Sequence, residues 1–267
     1  MIRITTLGSS GLTGPDGEEC SAVLAQPKRF ALLVYLALAS PGEFQRRDKL
    51  VGLFWPELDQ DRARGSLRQA LSFLRKHLGS DVILRRGDGA VSLNEEYVWC
   101  DAVAFQDMLG KGDVGKALDL YGGDLLEGLF LTSCFGFEEW LDEERLRLKE
   151  QAASAAWSQA HLLIGSGELI EAERMAQKAL GFVPSDESPV RRFIQDLASA
   201  GDRGAAARFY ERFVEILDER YELRPGSETR ALMDDIRNSV ELPLADRPEP
   251  AKVETTPANP VPVSYTH

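Results

Sequence analysis

The chain has 267 residues, of which 43% are hydrophobic and 28% are charged, and this is the composition of a globular protein long enough for two domains. No run of about 18 apolar residues occurs, so the sequence predicts no membrane-spanning helix. The N-terminus has no apolar signal segment, and Cys20, Cys100 and Cys134 are widely spaced. We therefore expect a cytoplasmic protein without disulfides, zinc ribbons or membrane contact.

The net charge of −12 is concentrated in the second part of the chain. Residues 1–101 carry 13 basic and 13 acidic side chains, whereas the remaining 166 residues carry 18 basic and 30 acidic side chains. The acidic excess argues against a nucleic-acid surface in the second part. The neutral first part can still present a basic side.

The first segment favours two short strands joined by a turn. The alternating, β-branched run "IRITTL" (Ile2 to Leu7) predicts one strand, and "SAVLA" (residues 21–25) predicts a second. Gly14-Pro15-Asp16-Gly17, which lies between them, has the residue types of a turn. The glycines of this segment lack the Lys-Ser/Thr pair that completes a phosphate-binding loop, so a hairpin is the favoured interpretation.

Three helices are predicted next. "PKRFALLVYLALA" starts at Pro27, a residue suited to a first helical turn, and Ser40-Pro41-Gly42 ends it. The second helix is "QRRDKLVGLFW", from Gln45 to Trp55. The third is "DRARGSLRQALSFLRKHLG", from Asp61 to Gly79, with Asp59 or Asp61 as its N-cap.

The third helix separates an apolar arc from a basic arc. At about 100° per residue, one continuous arc of about 160° holds its apolar side chains: Ala63, Leu67, Ala70, Leu71, Phe73, Leu74 and Leu78. Arg64, Arg68 and Arg75 stack on the opposite side. The polar residues that flank them are Arg62, Gln69, Ser72 and Lys76. Because Arg64 and Arg68 are like-charged and four residues apart, this face suits a polyanion better than it suits solvent.

A basic hairpin follows the third helix. "VILRRGDGAVSL" (Val82 to Leu93) has two β-prone runs around Gly87-Asp88-Gly89, and Arg85 and Arg86 lie beside the tip. The order of strands, three helices and a hairpin is that of a winged helix-turn-helix.

Gly65 lies within the first turns of the third helix, where it lowers the stability of the helix by about 1 kcal/mol relative to alanine.

The second part of the chain reads as wholly helical from "WCDAVAFQDML" (Trp99 to Leu109) onward, with no further strand pattern. "SGELIEAERMAQKAL" and "AGDRGAAARFYERFV" repeat at an offset of 34, the period of tetratricopeptide helix pairs. Ala172 and Ala206 occupy the small position of the two copies. "KGDVGKALDLY" (Lys111 to Tyr121) echoes the second copy, and such pairs must stack to bury their faces.

The sequence therefore divides into three parts. We predict an N-terminal domain over residues 1–98, an all-helical domain over residues 99–240, and a tail over residues 241–267. The tail holds six of the 13 prolines and no apolar period, so it is interpreted as a disordered segment or linker from which a longer polypeptide continues.

No pattern of catalytic residues is present. His77, His161 and His267 lack partners at metal-ligand spacing, and no nucleophile elbow, Walker motif or dinucleotide fingerprint occurs. The carboxylates of "FEEWLDEERLRLKE" (Phe137 to Glu150) alternate with basic residues, which is typical of an ion-paired helix surface. We predict no enzyme, no catalytic residue, no metal and no cofactor.

These motifs together resemble the bacterial transcriptional activator domain proteins, which include the antibiotic regulatory protein (SARP) activators. The resemblance covers residues 2–240 and depends on "PKRFALLVYLAL", "LVGLFWPELDQDRARGSLRQALSFLRKHLG", "ALDLYGGDLLEG", "FEEWLDEERLRL", the repeats and "RPGSETRALMDDI". It implies an α+β fold of the OmpR-type winged-helix class followed by an all-α tetratricopeptide-like domain. It also implies binding to promoter DNA repeats as a homodimer, and recruitment of RNA polymerase.

The resemblance assigns DNA contacts residue by residue. The recognition-helix positions are Arg64, Arg68, Gln69, Ser72, Arg75 and Lys76, the wing positions are Arg85 and Arg86, and Lys28 and Arg29 are phosphate contacts at the start of the first helix. An alternative keeps the fold without the DNA: a protein-interaction scaffold that is the N-terminal part of a larger signalling protein. The negative net charge favours that alternative, and the basic face of the third helix favours DNA.

Overall fold

The computed structural model describes residues 1–39 and 41–239. Its strands are β1 (Ile2–Thr5), β2 (Gly11–Thr13), β3 (Gln45–Arg46), β4 (Ile83–Arg86), β5 (Ala90–Leu93) and β6 (Val98–Cys100). Its helices are α1 (Ser21–Leu24), α2 (Pro27–Leu38), α3 (Arg47–Phe54), α4 (Gln60–Leu78), α5 (Asp101–Gly110), α6 (Val114–Leu120), α7 (Phe135–Gly165), α8 (Leu169–Phe182), α9 (Glu187–Ser199), α10 (Arg203–Tyr221) and α11 (Ser227–Asn238). The predicted tail, residues 241–267, lies outside the described residues.

The first sheet has the order β2-β1-β6, and it corrects the predicted hairpin. One partner of β1 is β2, which lies between the two predicted strands and directly before the predicted turn that starts at Gly14. The segment Ser21–Leu24, predicted as a strand, is the short helix α1. Because β2 and β6 already pair with both edges of β1, the backbone of this segment forms local bonds instead, such as Ala25 N–H to the Ser21 carbonyl at 2.9 Å.

The strand β6 corrects a second prediction, because the helical region was expected to begin at Trp99. Residues Val98–Cys100 instead pair in parallel with β1. Three residues are too few to show the alternation by which a strand is recognised in a sequence. The helix α5 starts immediately afterwards at Asp101, whose carboxylate accepts hydrogen bonds from Thr6 N–H at 2.7 Å and Thr6 Oγ1 at 2.6 Å.

The three predicted helices of the first part are confirmed as α2, α3 and α4, with ends that differ from the prediction by at most two residues. The helix α3 begins two residues later than expected, since Gln45–Arg46 forms β3 and pairs with β5. Asp59 is the N-cap of α4, and its side chain accepts a hydrogen bond from the Arg62 N–H at 3.0 Å. The helix runs without a break through Gly65.

The predicted basic hairpin is confirmed as β4 and β5, which pair antiparallel from Ile83↔Leu93 to Arg86↔Ala90. The three-residue connection turns through Gly87, whose φ of +57° suits glycine. With β3, the hairpin makes a second sheet in the order β3-β5-β4. This sheet holds the N-terminus of α3 beside the hairpin tip.

The second part of the described chain is helical after β6, and its helix pairs repeat as predicted. Gly112, Gly167 and Gly201 lie two residues before the first residues of α6, α8 and α10, and their φ angles are +82°, +82° and +91°. The small positions Ala117, Ala172 and Ala206 are all fully buried. An alanine at these positions lets neighbouring helices approach closely, which explains why the pattern recurs.

Aromatic residues join the helical region to the first part. Phe54 of α3 lies 4.9 Å from Phe137 of α7, measured between ring centroids, and Tyr35 of α2 lies 4.7 Å from Trp140. Cys134 Sγ donates to the Phe54 carbonyl at 3.4 Å. The N-terminal turns of α7 therefore pack directly on the helix that precedes α4, and the apolar core is continuous across the predicted domain boundary.

Candidate nucleic-acid interface

The two faces of α4 are arranged as the sequence predicts. The apolar residues of the predicted arc are buried, apart from Phe73, which is partly exposed. Arg68, Gln69, Ser72 and Lys76 are exposed on the outward side. Arg68 and Lys76 form no hydrogen bond or ion pair with the described residues, so both side chains are available to a ligand.

Arg64 lies at the edge of this face and has a partner inside the protein. Its guanidinium donates to the Asp48 carboxylate of α3 at 3.1 Å, and both side chains are largely exposed. The pattern within the third helix does not reveal this partner, because Asp48 belongs to another helix. An exposed ion pair contributes at most about 1 kcal/mol, so a phosphate can displace the carboxylate.

Arg75 is the least exposed arginine of the predicted face. Its Nε and Nη2 donate to the Ile83 carbonyl at 3.3 and 3.0 Å, which attaches the hairpin to α4. Partial burial lowers the pKa of Arg75, and the positive charges of Arg85 and Arg47 lower it further. The three guanidinium groups, from three different elements, line one cleft.

A cleft lies between α4, the start of α3 and the hairpin. The residues that line it are Arg47, Arg68, Leu71, Ser72, Arg75, Arg85 and Asp88. A single carboxylate, that of Asp88, faces four arginines there. Like charges that converge in this way raise the electrostatic energy of the empty cleft, and an oxyanion relieves that repulsion.

Arg47 is the residue of this cleft that the sequence analysis missed. Its N–H donates to the Gly89 carbonyl at 2.9 Å, and its Nε is buried without a partner among the described residues. The run "QRRDK" shows the charge, but the pairing of β3 with the distant β5 places Arg47 against the hairpin. Such a long-range contact leaves no periodic signal in the sequence.

The two predicted wing arginines point to opposite faces of the hairpin. Arg85 lies on the α4 side, in the arginine-lined cleft. Arg86 lies on the other face, with its guanidinium 4.1 Å from the ring centre of Phe44. Successive residues of a strand alternate between faces, so the structure separates a pair that is adjacent in sequence.

Lys28 and Arg29 form a second group with Gln69, in a groove at the start of α2. Lys28 makes an ion pair with Glu57 at 3.6 Å and lies 5.8 Å from the ring centre of Trp55. The Arg29 guanidinium lies 4.0 Å over the ring of Phe73. Apart from Arg86, the predicted contacts are therefore distributed over two neighbouring clefts and the exposed ridge of α4 between them.

Among the described residues, no three side chains are placed to hold a metal ion. His161 Nδ1 lies 2.7 Å from an Asp196 oxygen, and the ring centres of His77 and Phe73 are 4.3 Å apart. No helix in the described part of the chain has the length and apolar character that crossing a membrane requires.

Comparison with known protein families finds a match for the helical part. Residues 111–237 match the family described as the bacterial transcriptional activator domain. The family consists of transcriptional regulators, and the prediction that the chain is not an enzyme agrees with it.

Among solved structures, the chain is similar to Mycobacterium tuberculosis EmbR, determined in complex with a low-affinity phosphopeptide. The two are 22% identical with a TM-score of 0.49, and the similarity covers 91% of this chain and 66% of EmbR. The chain thus spans just under two thirds of the length of EmbR. A comparison with curated proteins finds no match.

Proposed function

We propose that the chain is a DNA-binding transcriptional regulator whose first part is a winged helix-turn-helix. The observation that carries this proposal is the cleft in which Arg47, Arg75 and Arg85 meet beside the exposed face of α4. An activator domain covers residues 111–237, and a DNA-binding unit beside it gives such a domain a promoter on which to act.

The positions of the side chains suggest different tasks for them. Arg68, Gln69, Ser72 and Lys76 point outward from α4 and suit base edges in a major groove. Arg47 and Arg75 are half-buried, Arg85 is exposed beside them, and all three line the cleft and suit backbone phosphates. Arg64 joins them when it leaves Asp48. Lys28 and Arg29 suit the phosphates on the other side of α4, and Arg86 lies outside both groups.

The helical domain supplies the remaining parts of the proposal. We expect it to serve dimerisation on promoter repeats or contact with RNA polymerase. The protein would then be a transcriptional activator located in the cytoplasm. The acidic charge of this region keeps it away from DNA, so the two tasks are separated in the molecule.

The test is a binding titration of the full chain against a selected pool of duplexes at several salt concentrations. We expect binding that weakens with salt, because each neutralised phosphate releases about 0.9 of a counterion. Arg85→Ala should weaken all sequences alike and reduce the salt slope by about one unit. Arg68→Ala should instead lose about 1–3 kcal/mol, mainly on the preferred site.

The control is Leu162→Ser, which changes an exposed side chain on α7 far from the cleft along the chain. It should leave binding unchanged. If the folded chain binds no duplex above background at low salt, the DNA function is wrong and the protein-interaction scaffold replaces it.

A further inference from the structure

The outer face of the first half of α7 carries large apolar side chains in solvent. Phe135 is 80% exposed and Leu146 is 57% exposed. They are eleven residues apart, which places them on one stripe of the helix about 16 Å apart along its axis. Exposed aromatic and aliphatic side chains arranged along a line are unfavourable in water and are a recurrent feature of interaction surfaces.

Carboxylates fill the stripe between these two residues. Glu139 and Asp142 lie within about 30° of the line that joins Phe135 and Leu146, and Glu143 lies beside it. Glu139 and Glu143 form no ion pair with the described residues. We call the set Phe135, Glu139, Asp142, Glu143 and Leu146 the acidic stripe.

Within the described residues, the basic residues of the same helix pair with one carboxylate of the acidic stripe, that of Asp142, and leave Glu139 and Glu143 unpaired, although the sequence pattern predicted a mixed ion-paired surface. Arg147 binds Glu144 at 2.6 Å, and Lys149 binds Asp124 at 3.2 Å. The Arg145 guanidinium donates to the carbonyls of Leu125, Leu126 and Leu129, and it forms an ion pair with Asp142 at 3.1 Å. The positive charges are thus used inside the fold.

Arg145 also fixes the loop that precedes α7. Leu126 and Ser133 in this loop have φ angles of +48° and +66°, which side chains other than glycine seldom adopt. The Leu131 N–H donates to the Glu138 carboxylate at 2.7 Å, so the loop lies against the first turn of α7. Its neighbour Phe130 is 71% exposed, in a loop that is bound to Glu138 and Arg145 of the same helix.

From these observations we infer that the acidic stripe and Phe130 are a docking surface for a partner protein that presents a basic amphipathic helix. Apolar side chains of the partner would cover Phe130, Phe135 and Leu146, and its lysines or arginines would face Glu139 and Glu143. The same carboxylates repel the phosphates of DNA and of anionic lipids, which leaves a protein as the ligand. The inference does not depend on DNA binding.

The experiment measures binding of the full chain to a synthetic 18-residue amphipathic helix of leucine and lysine, by fluorescence anisotropy. A scrambled peptide of identical composition, without an apolar face, is the reference. We expect the amphipathic peptide to bind about tenfold more tightly than the scrambled one. Phe135→Ser with Leu146→Ser should abolish this preference, and Glu139→Gln with Glu143→Gln should remove most of the salt dependence of binding.

The matched control is Leu162→Ser with Ile170→Ser, which removes two side chains that are 70% and 89% exposed elsewhere in the helical region. The control should bind both peptides as the unchanged protein does. All substituted positions are exposed, so circular dichroism should show unchanged folding. Equal affinity for the two peptides, or an equal loss in the control, would overturn the inference.

Sedimentation velocity tests whether a second copy of this chain occupies the acidic stripe. The measurement compares the unchanged protein with the Phe135→Ser, Leu146→Ser variant. We expect the same oligomeric state for both proteins. Loss of a dimer in the variant alone would contradict docking of a different protein, because the acidic stripe would then be an interface between copies of this chain.

Discussion

What an arginine does in this protein depends on whether its guanidinium already has a partner. Arg145 is held by three carbonyls and acts as a structural residue. Arg68 has no partner among the described residues and is exposed, whereas Arg47 is recessed with an unpaired Nε. In the sequence the three are equivalent cations, and the contacts alone separate the arginine that is held inside the fold from the two whose guanidinium groups are not.

At this scale we predict that Arg47→Ala weakens binding to every duplex by a similar factor and lowers the salt slope by about 0.9. Stability should change little, because the lost Nε has no partner in the fold. The control is Arg46→Ala, since Arg46 is the neighbouring residue and its side chain is 82% exposed. The measurement is the salt-dependent titration of both variants. A slope that falls equally in both, or in neither, would remove Arg47 from the interface.

At the scale of elements, α4 combines a strong N-cap with an unfavourable glycine. Asp59 accepts the Arg62 N–H, and the buried leucine and alanine side chains hold the helix on the core. Gly65 has ordinary helical backbone, and a Cβ added there would meet nothing within 4 Å. The fold therefore gives no reason for this glycine, which lies on the outward side of the helix.

We predict that Gly65→Ala increases the free energy of unfolding by about 0.5–1 kcal/mol, through helix propensity and reduced freedom of the unfolded chain. Urea denaturation followed by circular dichroism provides the measurement. Gly79→Ala is the contrasting variant, because the φ of +113° at this position is strained for alanine and should make it destabilising. Destabilisation by Gly65→Ala would show that the helix requires the glycine for a reason other than surface contact.

The elements also show which features of the fold could be predicted from the sequence. The faces of α4, the hairpin and the helix repeats were predictable, because each depends on a period within one segment. The segment Ser21–Leu24, the strand β6 and the role of Arg47 were not predictable in this way. Each of these depends on which distant segment pairs with a strand in a sheet. Pairing between distant segments leaves no pattern within either segment, so the sequence does not predict it.

At the scale of the whole molecule, α7 joins two aromatic clusters. Near its start, Phe137 packs against Phe54 of α3, and further along Trp157 lies 5.8 Å from Phe193 and 6.2 Å from Phe209. One helix of 31 residues, about 46 Å long, therefore contacts both the helix before α4 and the repeats. We expect the N-terminal part and the helical domain to respond together to a change at their junction.

We predict that Phe137→Ala lowers the free energy of unfolding by about 3–5 kcal/mol, because it removes a fully buried ring. Hydrogen exchange should accelerate in α3 as well as in α7. The control is Phe135→Ala, two residues earlier and exposed, which should change stability by less than about 0.5 kcal/mol. Full retention of protection in α3 would show that the two parts unfold independently.

The parallel pairing of β1 with β6 has a consequence for synthesis of the chain. Ile2 can pair with Val98 only after that residue has been synthesised. In the same way, the buried Thr6 can form its hydrogen bonds only after Asp101 has been synthesised. Until then a nascent chain on the ribosome displays an open β-edge with Ile2 and Ile4, which are buried in the finished fold. Contacts this distant in sequence form slowly, so expression vectors that stop before residue 101 should yield aggregates where longer ones yield soluble protein.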